Sequence, residues 1–196
     1  MRQHAPRTTF VGSFPGQLPE LGLPEVAFVG RSNVGKSSAL NTLLGKKSAA
    51  RVSSTPGRTQ AINLFRLGDA LCFADLPGYG FAKVPAAVQQ AWKPMIERYL
   101  GEREALRLVV VLVDARHTAR PADKDLLDGL AEADIPFLVV ATKLDKLSKH
   151  ARKPTLRALA QGLGLGDQAL LGFSSLSGEG RDAVWERIEA ACREPG

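Results

Sequence analysis

Eight consecutive residues have the types and spacing of a phosphate-binding loop, G-x-x-x-x-G-K-[ST]. They are Gly30, Arg31, Ser32, Asn33, Val34, Gly35, Lys36 and Ser37. Glycines let the backbone curl so that successive N–H groups point at phosphate oxygens. Lys36 would neutralise the β and γ phosphates, and the Ser37 hydroxyl would ligate Mg²⁺. A glycine-rich turn with an exposed lysine is the alternative, which the position between a predicted strand and a predicted helix disfavours.

A second candidate segment follows the third predicted strand, and it consists of Asp75, Leu76, Pro77 and Gly78. Ligands of doubly wound sheets bind at strand carboxyl ends, so a carboxylate there is well placed. Asp75 could hold Mg²⁺ through a water, and the Gly78 N–H could sense a γ-phosphate. The pattern Asp-x-x-Gly is weak alone, because the same letters form ordinary turns. Its order after the phosphate loop favours the nucleotide interpretation.

A third segment has the types needed to recognise a base, and it consists of Thr142, Lys143, Leu144 and Asp145. A fixed carboxylate at Asp145 can accept hydrogen bonds from guanine N1–H and the guanine amino group, a donor pair that adenine lacks. A base that leaves a buried carboxylate without a hydrogen-bond partner binds poorly, so such a site would discriminate strongly against adenine. A solvated loop of lysine and aspartate is the alternative.

The sixth predicted strand ends in Phe173, Ser174 and Ser175. Their backbone N–H groups could meet guanine O6. The same residues could equally form a polar helix start.

Apolar runs that alternate with amphipathic stretches predict an α/β fold, a three-layer arrangement with a six-stranded, mostly parallel sheet. The strands are predicted at 26–29, 62–67, 71–74, 108–113, 137–141 and 169–173. Helices are predicted at 36–44, 88–100, 122–133, in a stretch before Gly162 that Pro154 interrupts, and at 180–191. Gly68 and Asp69 form a turn too short for a helix, which makes the second and third strands an antiparallel edge pair.

The 196 residues suit one domain, which we place at residues 25–196 behind an irregular N-terminal extension, residues 1–24. The longest apolar runs are far shorter than the roughly 20 residues of a membrane span. The N-terminus lacks the apolar core of a secretory signal. We therefore expect a cytoplasmic monomer in which Cys72 and Cys192 stay reduced.

The ordered motifs resemble the EngB/YihA/YsxC family of bacterial GTPases, within the TrmE-Era-EngA-YihA-Septin-like P-loop class. The resemblance rests on the phosphate loop, on TPGRTQ from Thr55 to Gln60, on DLPGYG from Asp75 to Gly80, and on the two later segments. It covers the chain from about Pro24 to the C-terminus. TPGRTQ combined with DLPGYG is far more specific than a phosphate loop alone.

The resemblance implies a Ras-like fold, binding of GTP and GDP, a Mg²⁺ cofactor, and a switch role in assembly of the large ribosomal subunit. It also implies a tie to cell division and septation. By the same resemblance the residues that line the nucleotide include Gly57, Arg58, Thr59, Gln60 and Ala61. Thr59 would coordinate Mg²⁺ in the GTP state. Thr142 departs from the asparagine usual in GTPases at large, although it suits this family, so one contact of the base site is expected to be weaker.

Slow hydrolysis is expected because Tyr79 stands where Ras-like proteins carry a water-orienting glutamine. Tyr79 could instead be a packing aromatic. Asn33 matches the loop asparagine that helps to hold K⁺ beside the phosphates in similar GTPases, although an asparagine can also simply tolerate an unusual backbone angle. Lys36, Thr59 and Asn33 are therefore the candidate catalytic residues.

Basic residues that could contact ribosomal RNA fall into two groups. The first contains Lys143, Lys146, Lys149, His150, Arg152, Lys153 and Arg157, and the second contains Lys46, Lys47 and Arg51. The net charge of +6 agrees with an anionic partner, but a solvated helix face would look the same.

Other classes of function fit less well. A metabolic phosphotransferase needs an acceptor site that the sequence does not suggest. A membrane GTPase needs a lipid signal, and Cys192 lies too far from the C-terminus for a prenylation box. A GTPase that acts directly in septum formation, without a ribosomal partner, remains the alternative.

Overall fold

The computed structural model describes residues 7–46, 61–79, 86–166 and 169–193. Of the residues predicted to line a nucleotide, Gly57, Arg58, Thr59 and Gln60 lie outside these ranges, as do Lys47 and Arg51. Ala61 lies inside them.

The described residues form seven strands and five helices. The strands are β1 (Thr8–Phe14), β2 (Glu25–Gly30), β3 (Ile62–Leu67), β4 (Leu71–Asp75), β5 (Leu106–Asp114), β6 (Phe137–Thr142) and β7 (Leu170–Gly172). The helices are α1 (Lys36–Leu43), α2 (Ala86–Glu102), α3 (Pro121–Glu132), α4 (Lys149–Gly162) and α5 (Arg181–Arg193), and a 3₁₀ turn spans Leu144–Lys146.

One sheet contains all seven strands, in the order β1-β3-β4-β2-β5-β6-β7. The pairs from β4 through β7 are parallel, whereas β1 with β3 and β3 with β4 are antiparallel. The central strand β2 is buried along its whole length, as expected for a parallel strand covered on both faces.

Two apolar clusters, one on each face of the sheet, form the core. Phe28 and Val110 pack with Leu40 of α1 and Ile188 of α5. Their sheet neighbours face the opposite way and form the second cluster, which includes Leu127 of α3 and Leu159 of α4. The predicted three-layer α/β fold is therefore confirmed.

The strand count was wrong by one. Strand β1 lies in the stretch predicted to be irregular, and it pairs antiparallel with β3 along the edge of the sheet, with a register shift between Phe10 and Gly12. Thr8 is the only buried residue of this strand, and the strand's sequence lacks the apolar alternation that would have marked it. The antiparallel region of the sheet therefore has three strands, β1, β3 and β4, instead of the predicted two. The edge strand is β1 and not β3.

Two helices differ from their predicted form. Helix α4 runs without interruption from Lys149 to Gly162 although it contains Pro154. Helix α2 is longer than predicted at both ends. No helix among the described residues combines the length and the apolar character that a membrane span requires.

A buried carboxylate joins three separate parts of the chain. Glu25, at the start of β2, is fully buried. Arg103, just after α2, donates to it from Nε at 3.1 Å and from a terminal nitrogen at 2.6 Å. Tyr99 donates its hydroxyl to Glu25 at 2.9 Å. Arg103 also donates to the Pro19 carbonyl and contacts Glu20, so it fastens residues 19–20 and α2 to the central strand.

We expect Arg103→Met to lower the free energy of unfolding by about 3 kcal/mol, because it removes one partner of a buried ion pair and leaves the Glu25 charge incompletely compensated. Equilibrium urea unfolding followed by circular dichroism measures the change. Arg98→Met is the matched control: it breaks an exposed ion pair with Glu102 on the same helix and should cost less than about 1 kcal/mol. Equal losses in the two variants would contradict the buried-pair explanation.

Candidate functional site

The carboxyl ends of the parallel strands bring the predicted segments to one edge of the sheet. The phosphate loop follows β2, Asp75 ends β4, Thr142 ends β6, and Phe173 follows β7. Backbone hydrogen bonds join neighbouring segments. Tyr79 N–H donates to the Gly30 carbonyl at 3.2 Å, and Leu144 N–H donates to the Phe173 carbonyl at 3.1 Å.

Two left-handed residues shape the phosphate loop. Asn33 has a φ of 61° and Gly35, the N-cap of α1, has a φ of 101°. Glycine adopts such a conformation without the steric cost that a Cβ brings, so Gly35 can turn the chain directly into α1. The N-terminus of α1 therefore begins directly at the end of the loop, a position that suits phosphate binding.

Gly78 lies directly against this loop. A Cβ added at Gly78 would come within 3.2 Å of the Gly30 carbonyl and 3.5 Å of the Ser32 nitrogen, so a larger residue would push the two segments apart. A bridge between Arg31 and Tyr79 holds the segments in this position. The placement suits the expected sensing of a γ-phosphate by the Gly78 N–H.

Lys36 and Asp75 form an ion pair at the centre of the edge, and their side chains are only 14% and 10% exposed. Asn63 on β3 donates to the other carboxylate oxygen of Asp75 at 3.4 Å. The cation expected to bind phosphate and the carboxylate expected to bind Mg²⁺ thus neutralise each other. An arriving Mg²⁺–phosphate group offers each of them a partner of opposite charge.

The donor set suits magnesium. Ser37, half-buried in the first turn of α1, offers a hydroxyl oxygen, and Asp75 offers a carboxylate. Mg²⁺ prefers such hard oxygen ligands and usually completes its shell with waters and phosphate oxygens. Within the described ranges no group of three or more His, Cys, Asp or Glu residues could hold a metal by itself.

Thr142 ties the base segment to the phosphate loop. Its hydroxyl lies 2.6 Å from the Val34 carbonyl and 3.0 Å from the Val113 carbonyl, and the residue is almost fully buried. A hydroxyl carries one proton, so the two carbonyls share it. The Thr142 hydroxyl therefore cross-links the base segment to the phosphate loop, although the residue lacks the side-chain amide of the asparagine usual at this position.

Asp145 is held as an ionised acceptor. Ser174 donates its hydroxyl to Asp145 Oδ1 at 2.8 Å, and Lys146 Nζ lies 3.6 Å from Oδ2. The hydrogen bond from Ser174 is the main cause that lowers the pKa of Asp145 below its ordinary value. Ser174 is fully buried and its hydroxyl accepts from the Ser177 N–H at 3.2 Å, which fixes its orientation. The side-chain role of Ser174 was missed, because sequence reasoning considered only its backbone.

The packing interpretation of Tyr79 is the one that its contacts favour. The half-buried ring packs against the apolar cluster that contains Leu127 and Leu159, and its hydroxyl donates to Asp123 Oδ1 of α3 at 2.9 Å. Burial, followed by the charge of Asp123, raises the pKa of Tyr79 well above its ordinary value. The phenol therefore stays neutral and bound to α3.

The remaining predicted residues position the loops. Those with buried side chains are Val34, Ala61, Leu76, Pro77, Leu144 and Phe173, whereas Ser175 is half-buried and its carbonyl accepts from Thr42 at 3.4 Å. Sequence reasoning also missed Asp114, which ends β5 and contacts Lys143 at 2.9 Å. Its position at a strand end, like that of Asp75, was the available signal.

Comparisons with known proteins agree with this geometry. Residues 25–143 match the model of a family described as "50S ribosome-binding GTPase". A probable GTP-binding protein EngB of Geobacter sulfurreducens is 51% identical over 93% of this chain and 89% of that protein. The EngB relative of Trichlorobacter lovleyi is 45% identical over 97% of this chain and 98% of that protein.

Solved structures give the same result. A crystal structure of a probable GTP-binding protein EngB has a TM-score of 0.73 at 28% identity and covers 87% of this chain and all of that one. Aquifex aeolicus Era bound to GDP·AlF₄⁻ has a TM-score of 0.70 at 24% identity, covers 89% of this chain and 58% of that one, and supports the fold alone. The chain therefore belongs to the EngB family of GTP-binding proteins, P-loop GTPases that hydrolyse GTP to GDP and phosphate.

Proposed function

We propose that this GTPase is a slow, Mg²⁺-dependent switch that acts in assembly of the large ribosomal subunit by binding its RNA. The observation that supports the nucleotide-binding part of this proposal is that two charged sites lie along the same edge of the sheet. Asp145 is an ionised acceptor at one end, and Lys36 with Asp75 forms the other. A guanine nucleotide is complementary to both sites, because its base carries two hydrogen-bond donors for Asp145 and its polyphosphate carries negative charge for Lys36.

The chain's own residues then have distinct tasks. Asp145 accepts from guanine N1–H and the guanine amino group. The N–H groups of Phe173 and Ser174 already donate to the Ala141 and Glu179 carbonyls, at 2.8 and 3.0 Å, which leaves the Ser175 N–H as the candidate donor to guanine O6. Lys36 exchanges Asp75 for phosphate oxygens, and the freed carboxylate of Asp75 can hold a Mg²⁺-bound water. Ser37 and Thr59 would supply hydroxyl ligands to the ion. When bound, Mg²⁺ neutralises charge that develops on the phosphates.

Slow hydrolysis follows from the way Tyr79 is held. Its hydroxyl is bound to Asp123, so it cannot orient a water as a free carboxamide does. Asn33 is exposed at the tip of the phosphate loop and could help to hold a K⁺ ion beside the phosphates. A cation there would compensate charge at the β–γ bridge.

The ribosomal half rests on the description of the matched family and on the part of the basic set that stays exposed. Lys143 and Arg152 are engaged within the chain, by Asp114 and Glu179 respectively. Lys149, His150 and Lys153 are exposed on α4, a helix without any acidic residue. Such a face suits a phosphate backbone. Direct action in septum formation is the second candidate, with septation otherwise a downstream effect of ribosome assembly.

Asp145→Asn should change the base preference from guanine to xanthine. Ser174 would still donate to the amide oxygen, which turns the amide NH₂ toward the base, where it meets the guanine amino group but suits the xanthine carbonyl. The lost hydrogen bond and the stranded donor should cost about 2–4 kcal/mol, or roughly 30-fold to 1000-fold in GDP affinity. Competition titration with GDP and XDP measures it, with the exposed Asp69→Asn as control. A folded mutant that keeps its GDP preference would show that Asp145 does not bind the base.

GTP turnover should rise when K⁺ replaces Na⁺ at equal ionic strength, because the ion is proposed to act on charge that develops during bond cleavage. GDP affinity should change less than the hydrolysis rate. Phosphate release is measured in both salts for the wild type and for Asn33→Ala, which should lose the difference between them. Equal wild-type rates in the two salts would refute K⁺ activation.

The GTP-bound protein should co-sediment with large ribosomal subunits, and binding should fall steeply with salt if phosphates dominate the contact. Lys149→Glu with Lys153→Glu should weaken this binding by at least about 10-fold. Lys124→Glu with Arg193→Glu makes the same charge change on other exposed helix faces and should have a smaller effect. Absence of binding at low salt in either nucleotide state would favour the septation candidate.

A further inference from the structure

We infer that Asp114 is a positioning residue of the nucleotide site, which holds Lys143 across the phosphate loop and thereby couples the base end of the site to the phosphate end. The inference rests on the proposed nucleotide site and goes beyond it, because Asp114 belongs to none of the predicted nucleotide-binding segments. Asp114 ends β5, the strand between the strand of the phosphate loop and the strand of the base segment.

The contacts form a chain from Asp114 to the phosphate loop. Asp114 Oδ2 lies 2.9 Å from Lys143 Nζ, and the same ammonium donates to the Asn33 carbonyl at 2.6 Å. Asp114 is only 11% exposed at its side chain, so the pair is partly shielded from water. Lys143 therefore bridges a carboxylate on β5 and a backbone carbonyl of the phosphate loop.

A second cross-link runs beside the first. Thr142 donates to the Val34 carbonyl, so two consecutive residues of the base segment hold two consecutive carbonyls of the phosphate loop. Lys143 takes a left-handed conformation, with a φ of 60°, which is uncommon for a residue with a side chain. From this backbone position its ammonium meets two acceptors, the Asp114 carboxylate and the Asn33 carbonyl.

Arg116 fixes the carboxylate that Lys143 uses. Its Nε and backbone N–H donate to Oδ1 of Asp114 at 2.9 and 3.0 Å, and its terminal nitrogen donates to Oδ2 at 2.8 Å. Although burial raises the pKa of Asp114, the hydrogen bonds from Arg116 and Lys143 hold it well below its ordinary value. The carboxylate is thus ionised at neutral pH, and its plane is set before any ligand binds.

The coupling has a consequence for the bound nucleotide. Asn33 has a left-handed backbone, and its carbonyl is oriented by Lys143. When Asp114 no longer holds the ammonium, Lys143 becomes free to swing away from the Asn33 carbonyl. Both ends of the site should then loosen together, so nucleotide should leave faster while its entry stays nearly unchanged.

The test is a double-mutant cycle on the rate of GDP dissociation, measured with a fluorescent GDP analogue. Asp114→Asn should accelerate dissociation by about 10-fold, since hydrogen bonds to charged groups are worth more than neutral ones. Lys143→Met should produce a similar increase. In the Lys143→Met background, Asp114→Asn should add less than about 2-fold, because the two residues act through one contact.

Controls separate positioning from a general structural effect. Lys124→Met, which breaks an exposed ion pair with Asp128 on α3, should leave dissociation unchanged. The association rate should change by less than about 2-fold in every variant. If Asp114→Asn fails to fold, Lys143→Met alone still tests the bridge, and dissociation at the wild-type rate would overturn the inference.

Two results distinguish this inference from the proposed function. If the wild type binds GDP, Asp145→Asn loses GDP preference, and Asp114→Asn acts equally in both backgrounds or not at all, the inference alone fails. If the wild type binds no GDP, the proposed nucleotide site and the inference fail together.

Discussion

Parallel pairing of five strands is the constraint on which the site depends. Parallel strands end at the same edge of the sheet, and β4, β5 and β6 each end there in a polar residue after an apolar run. In this chain that edge carries Asp75, Asp114 and Thr142. Charges that are partly shielded from water need partners of opposite charge. Asp75 pairs with Lys36 and Asp114 pairs with Lys143, each in a neighbouring segment. The interactions that place the site are therefore the same ones that neutralise the edge.

Features carried by contiguous residues were predictable from the sequence. The phosphate loop, Asp75 and Asp145 each belong to a short motif, and each motif follows an apolar run long enough to be recognised as a strand. Helix α1 begins at Lys36 as predicted, because the loop pattern fixes where a helix must start. The carboxyl-edge rule then places all these segments together without knowledge of individual contacts.

Features that join distant residues were not predictable in this way. Glu25 and Arg103 are 78 positions apart, and a glutamate at a strand start resembles a solvated one until its burial is known. Asp114 and Lys143 are separated by 29 positions, and neither carries a local signal for the other. Strand β1 escaped recognition because an edge strand with one buried residue need not alternate apolar and polar side chains.

The attachment of Arg103 and Tyr99 to Glu25 determines how α2 could respond to events at the site. Among the described residues this helix is the next element after the Asp75–Gly78 segment, and its far end is fastened to the start of the central strand. Near its middle, Pro94 supplies no N–H to the preceding turn, which is where a helix bends most easily. The second half of α2 and residues 19–20 are thus held against the start of the central strand as one unit, whereas the first half of the helix lies on the other side of Pro94.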